Sequence, residues 1–163
     1  MESDKINRWL TLGANIGVLA GLLLLVFELQ QSREMMEAQT RHEVSQGIVD
    51  QLGELASNVE LADLQFRAIC GKLDSALDAR RFRSFVNSRL RYWEDTHYQY
   101  RRGLYAESEF LAQTQAWRSF LQVSAVSENW ELMKGGFAPE FIELIDALIT
   151  DSRDLQFDLG QCQ

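Results

Sequence analysis

The alternation of apolar and polar positions divides this chain near its start. Residues 9–27, WLTLGANIGVLAGLLLLVF, are 19 consecutive positions without a charge. Beyond them apolar residues recur every three or four positions among Glu, Gln and Arg. As a helix the uncharged run is roughly 28 Å long at 1.5 Å per residue. That is close to the ~30 Å hydrocarbon core of a bilayer, and Leu29 extends it by part of a turn. The pattern predicts one transmembrane helix over 9–29, preceded by a short polar tail, 1–8, with Trp9 as an interfacial anchor. A cleaved signal peptide would carry a shorter apolar region and then a small-x-small site. Here the run ends in Val26, Phe27, Glu28, Leu29 and Gln30. A buried core helix would more usually show about 10–14 such residues.

After the span, Leu29, Met36, Val44, Ile48, Leu52 and Leu55 form a stripe of helical period. It predicts a helical stalk over 30–57 that packs on the domain beyond it. Gly47 and Gly53 each weaken that helix by ~1 kcal/mol relative to Ala. Asn58 is placed to cap a short helix carrying Leu61, Leu64 and Ile69, which Gly71 ends. Ser75 opens the longest soluble helix, with Phe82, Phe85, Val86, Leu90, Trp93, His97 and Tyr100 on one face and Gly103 as its stop. Ser108 starts the next, with Phe110, Thr114, Trp117 and Leu121 on one side. A short helix over 126–133 carries Trp130, Gly135-Gly136 breaks the chain, and Pro139 suits the first position of a helix with Phe141, Leu144, Ile145 and Leu148 buried. Each helix has a single apolar face, which is unstable alone in water. The prediction is therefore an all-α protein whose residues 58–150 form a compact antiparallel helical bundle, followed by an acidic tail, 151–163.

Composition supports helix throughout, with one proline among 163 residues. The length leaves room for one soluble domain of ~100 residues beside the span. The net charge of −8 is unevenly spread. Residues 80–102 hold Arg80, Arg81, Arg83, Arg89, Arg91, Arg101 and Arg102 against only Glu94 and Asp95, and both flanking segments are acidic. A nucleic-acid surface is disfavoured by the acidic whole. The arginines instead form a charged contact face, pairing with acidic helices inside the bundle or across subunits, or else lying against anionic lipid headgroups. Cys70 and Cys162 sit in no CxxC pair and are expected as two thiols. A single bridge between them is the alternative for a domain facing an oxidising space.

Chemistry is harder to find. Glu94-x-x-His97 has the spacing of carboxylate-bridged di-iron bundles, but such sites need the motif on two helices, and His42 is the only other histidine. His97 is therefore expected at the edge of the core with a hydrogen-bond partner. The aromatic stripe, joined by Tyr92 and Tyr98, reads as core. No Ser-x-x-Lys, GxSxG, Gly-rich phosphate loop or HExxH occurs. No catalytic residue, cofactor or metal ligand is assigned.

Within the span, Gly13, Gly17 and Gly21 recur every four residues on nearly one face, with Asn15 able to add an interhelical hydrogen bond. Such small-xxx-small faces let a second backbone approach closely in lipid. The partners expected are the lipid bilayer and another transmembrane helix, from a second copy or a different protein.

Two parts of the chain carry a family likeness. One is ANIGVLAGLLLLVFELQQSREMMEAQT, residues 14–40. The other is the series VELADLQFRAI (59–69), SALDARRFRSFV (75–86), YWEDTHYQYRRGLY (92–105) and NWELMKGGFAPEFIELID (129–146). Together they resemble a group of uncharacterised bacterial single-pass membrane proteins, in which an N-terminal apolar helix ends in a Glu-Leu-Arg-Gln-Asn-like stretch and a helical domain follows. Gln30 and Ser32 stand here in place of that Arg and Asn. The resemblance implies a single-pass protein of the bacterial inner membrane with a cytoplasmic soluble domain, and it supplies no chemistry. The leading expectation is a non-catalytic interaction or accessory subunit of a membrane assembly. The alternatives are a tethered enzyme or ligand-binding bundle with a pocket near Trp93, His97 and Tyr100, and a protein contacting anionic lipid.

Overall fold

The computed structural model describes residues 2–152 and Cys162. The described residues are helical, with no strand among them. Helix α1 runs Glu2–Ser57, α2 Val59–Ile69, α3 Ala76–Arg101, α4 Glu107–Leu121, α5 Ser124–Met133 and α6 Pro139–Ser152, with a 3₁₀ turn, Lys134–Gly136, between the last two. Span and stalk are thus parts of one α-helix. The tail predicted over 151–163 lies outside the described residues except at the end of α6 and at Cys162.

The helix ends follow local chemistry. The Leu61 amide donates to Asn58 Oδ1 at 3.0 Å, and the Asp78 amide donates to Ser75 Oγ at 3.0 Å. Each cap satisfies one of the orphan amides of a helix start. Gly71 and Gly103 take the left-handed conformation, φ 65° and 70°. Behind them the Lys72 amide returns to the Arg67 carbonyl and the Leu104 amide to that of Gln99. These are the closing bonds of Schellman ends, where a side chain at the glycine position would be strained. Helix α4 begins at Glu107, one residue before Ser108, and Ala106 caps it without a side-chain bond.

The chain divides into two compact units, Met1–Gln39 and Thr40–Gln163. In the first, helix α1 includes a window long and apolar enough to cross a bilayer, and 0 % of that window is buried. In the second, Phe82, Val86, Leu90, Trp117, Leu121, Val126, Trp130, Phe141 and Ile145 are almost fully covered. Helix α3 touches α2, α4 and α5, and α4 packs on α6.

The soluble unit begins well before the predicted boundary at 58, because α1 joins its core from Thr40 onward. Thr40 and Val44 are buried, Ile48 packs against the core, and Arg41 pairs with Glu109 at 2.7 Å. Leu29, Met36 and Leu52 of the predicted stripe are exposed. Gly47 has a use the sequence reading missed. The edge of the Tyr92 ring approaches it so closely that a Cβ there would collide with the ring, standing 2.9 Å from Cζ and 3.1 Å from the hydroxyl oxygen. The same Tyr92 hydroxyl donates to the Val44 carbonyl.

The expectation of two thiols is corrected. Cys70 and Cys162 form a disulfide, their Cα atoms 5.4 Å apart. They are 92 residues apart in sequence, so only the fold brings them together. The Lys72 ammonium also donates to the Cys162 carbonyl at 3.2 Å.

Candidate functional site

Gly13, Gly17 and Gly21 lie in the first unit on α1. A Cβ built on any of them meets nothing within 4 Å. The face is open within this chain, and its neighbours Leu19, Leu23 and Leu24 are exposed. Asn15 is likewise exposed.

The arginine-rich helix α3 does not present its charges as one surface. Arg83 Nε donates to Asn129 Oδ1 at 2.9 Å, reaching α5. Arg91 donates to Glu94 at 2.7 Å and to the Gly136 carbonyl at 2.9 Å, and it lies 3.9 Å over the Phe137 ring. Arg101 pairs with Glu140 at 3.0 Å and Arg81 with Glu60 at 3.4 Å. Four of the seven arginines therefore tether α3 to its own neighbours. Arg80 and Arg102 make no side-chain bond or ion pair among the described residues. Arg89 is a separate case. Its guanidinium lies beside the edge-to-face pair Phe85 and Phe120, 5.1 and 5.2 Å from the two ring centroids, and its buried Nε has no acceptor.

Among the described residues Trp93 and His97 line different clefts, and Tyr100 lines neither of them. Trp93 stacks on Trp117 at 4.8 Å, and Tyr100 stacks on Phe110 at 4.2 Å. His97, 9 % exposed, packs between Phe110 and Phe141. The hydrogen-bond partner expected for His97 is replaced by these two rings. Burial pushes the His97 pKa below its ordinary value, and the Arg101 cation adds to the effect. Trp93 lines one cleft with Arg89, and His97 lines another with Arg91, Glu94 and Arg101.

Glu94, the carboxylate of the metal-like spacing, is engaged elsewhere. Its Oε1 accepts from the Ala138 amide at 2.7 Å, at the start of α6. Among the described residues no group of three or more His, Cys, Asp and Glu is placed to hold a metal ion. Three structural polar contacts lie outside the sequence expectations. Trp130 Nε1 donates to Asp146 Oδ1 at 2.7 Å, joining α5 to α6. Arg67 bridges Asp63 and Asp78, both at 2.8 Å, and holds the Asp78 carboxyl below the usual carboxylate range. A Trp at a core position does signal a need for an acceptor, but the sequence does not say which one.

No family model matches the chain, and no curated protein or solved structure matches it either.

Proposed function

We propose that this chain is a membrane-anchored interaction or accessory subunit of a bacterial inner-membrane assembly, without catalysis of its own. The observation that carries the reading is the uncovered apolar length of α1, with Gly13, Gly17 and Gly21 open along one side. Apolar surface left in water costs about 25 cal/mol per Å². In lipid that cost vanishes, and a glycine face allows close helix contact. The span anchors the chain and seats a partner helix. The soluble helices, read as a compact antiparallel bundle, offer a rigid charged body to the same assembly.

The soluble body faces an oxidising compartment on this reading, which reverses the cytoplasmic expectation. The Cys70–Cys162 bridge supports that choice, since disulfides persist outside the reducing cytosol. Protein isolated from membranes with its thiols blocked at lysis should show no free Cys. Two alkylated cysteines would return the body to the cytoplasm.

The assembly reading is tested with Gly17→Leu. The larger side chain should shift the detergent-solubilised assembly to a smaller mass while leaving the soluble body folded. An unchanged mass would remove the glycine face from the account.

A further inference from the structure

Arg89 stands apart from the other arginines of α3. Arg81, Arg83, Arg91 and Arg101 each reach a carboxylate or an amide oxygen. Arg89 reaches none among the described residues, yet it is the one most withdrawn from water. Glu54 on α1 acts on it only through space. Contacts to the faces of Phe85 and Phe120 compensate a desolvated cation in part. They do not supply an acceptor for its buried Nε–H.

The same side chain lines a cleft of about 200 Å³. Ile48, Leu52, Trp93, Trp117 and Phe120 give it apolar walls, and Gln51, Tyr92 and Gln113 add polar atoms. The walls come from α1, α3 and α4, all within the second unit. An apolar slot with one unpaired cation and a few polar groups is the usual composition of a site for a small organic ligand. The volume is too small for a nucleotide or a lipid and suits a compact molecule.

We propose that this cleft binds a small organic monoanion, a carboxylate attached to a flat apolar body. The carboxylate pairs with Arg89, and the body fills the space beside Trp93, Trp117 and Phe120. Charge-assisted pairing of this kind is strongest where water is excluded. The site is distinct from the glycine face, so it adds a ligand-responsive element to the soluble body.

The test uses the full chain in a zwitterionic detergent and calorimetric titration with benzoate. Benzamide, its neutral counterpart of the same shape, is the control. Benzoate should bind at least tenfold tighter than benzamide, a difference of ~1.4 kcal/mol. Arg89→Met should abolish that preference, and Arg102→Met, just past the end of the same helix, should keep it. If Arg89→Met does not fold, as judged by its circular dichroism melt, Arg89→Lys replaces it and should weaken benzoate at least tenfold, because a point charge loses the planar fork. Equal binding of the two probes, absence of benzoate binding, or benzoate binding indifferent to the residue at 89 would each overturn the proposal.

Discussion

Gly47 and Gly53 lie on the same helix and respond oppositely to an added methyl group. At Gly53 a Cβ meets nothing within 4 Å, so Gly53→Ala should stabilise the body by about 0.5–1 kcal/mol through helix propensity alone. At Gly47 the same change strikes the Tyr92 ring, which its hydroxyl bond to Val44 holds in place. Overpacking of this kind costs about 1–3 kcal/mol, which exceeds the propensity gain. Gly47→Ala should therefore lose roughly 1–2 kcal/mol in denaturant unfolding. A Gly47→Ala protein as stable as the parent would show that the Tyr92 contact is not tight. Helix propensity weighs both glycines equally, because it is local and the Tyr92 contact spans 45 residues. His97 carries a pH dependence with a definite sign. Its folded pKa lies below the ordinary 6.5, from burial first and Arg101 second, with Glu140 and Glu94 opposing. Above 6.5 the ring is neutral in both states and its burial stabilises in full. As pH falls, the unfolded chain takes up the proton first, so stability drops until the folded pKa is passed. Between about pH 7 and about pH 5 the loss should be smaller in His97→Phe, read from thermal melts. Identical slopes in the two proteins would contradict this.

At the scale of elements, the helix boundaries were legible and the ties between helices were not. Asn58, Ser75, Gly71, Gly103 and Pro139 act on their own chain within a few residues, so their side chains announce starts and stops directly. The buried faces of α3, α4 and α6 followed from period alone, and Phe82, Val86, Leu90, Phe110, Trp117, Phe141 and Ile145 are core. Long-range ties have no such local sign. Asp146 holding Trp130, Arg41 holding Glu109 and the Cys70–Cys162 bridge each join residues that nothing in the sequence pairs. The bridge fastens the end of α2 to the far end of the chain. Removing it with Cys70→Ser should cost about 2–4 kcal/mol, since a loop this long is entropically expensive to close. Reducing the parent protein should lower its melting point as far as Cys70→Ser does. If neither treatment moves the melt, the bridge contributes nothing to the fold.

Considered as a whole, the molecule divides its features along the chain. Residues up to 39 carry length, apolarity and an open glycine face, and the remainder carries the core, the ion pairs between helices and the Arg89 cleft. The membrane-sized run was visible in the sequence because hydrocarbon imposes a length and a composition on any helix that crosses it. The cleft was hidden because Arg89 looked like one of seven similar arginines until the packing showed which of them had partners. The central claim is that the chain works by joining other membrane components. It is tested most directly by the mass and composition of the tagged protein extracted from native membranes in a mild detergent. The account predicts a defined assembly in which a foreign membrane protein accompanies the chain at fixed stoichiometry and is lost in Gly17→Leu. A chain that emerges alone, as monomer or homo-oligomer, would contradict it.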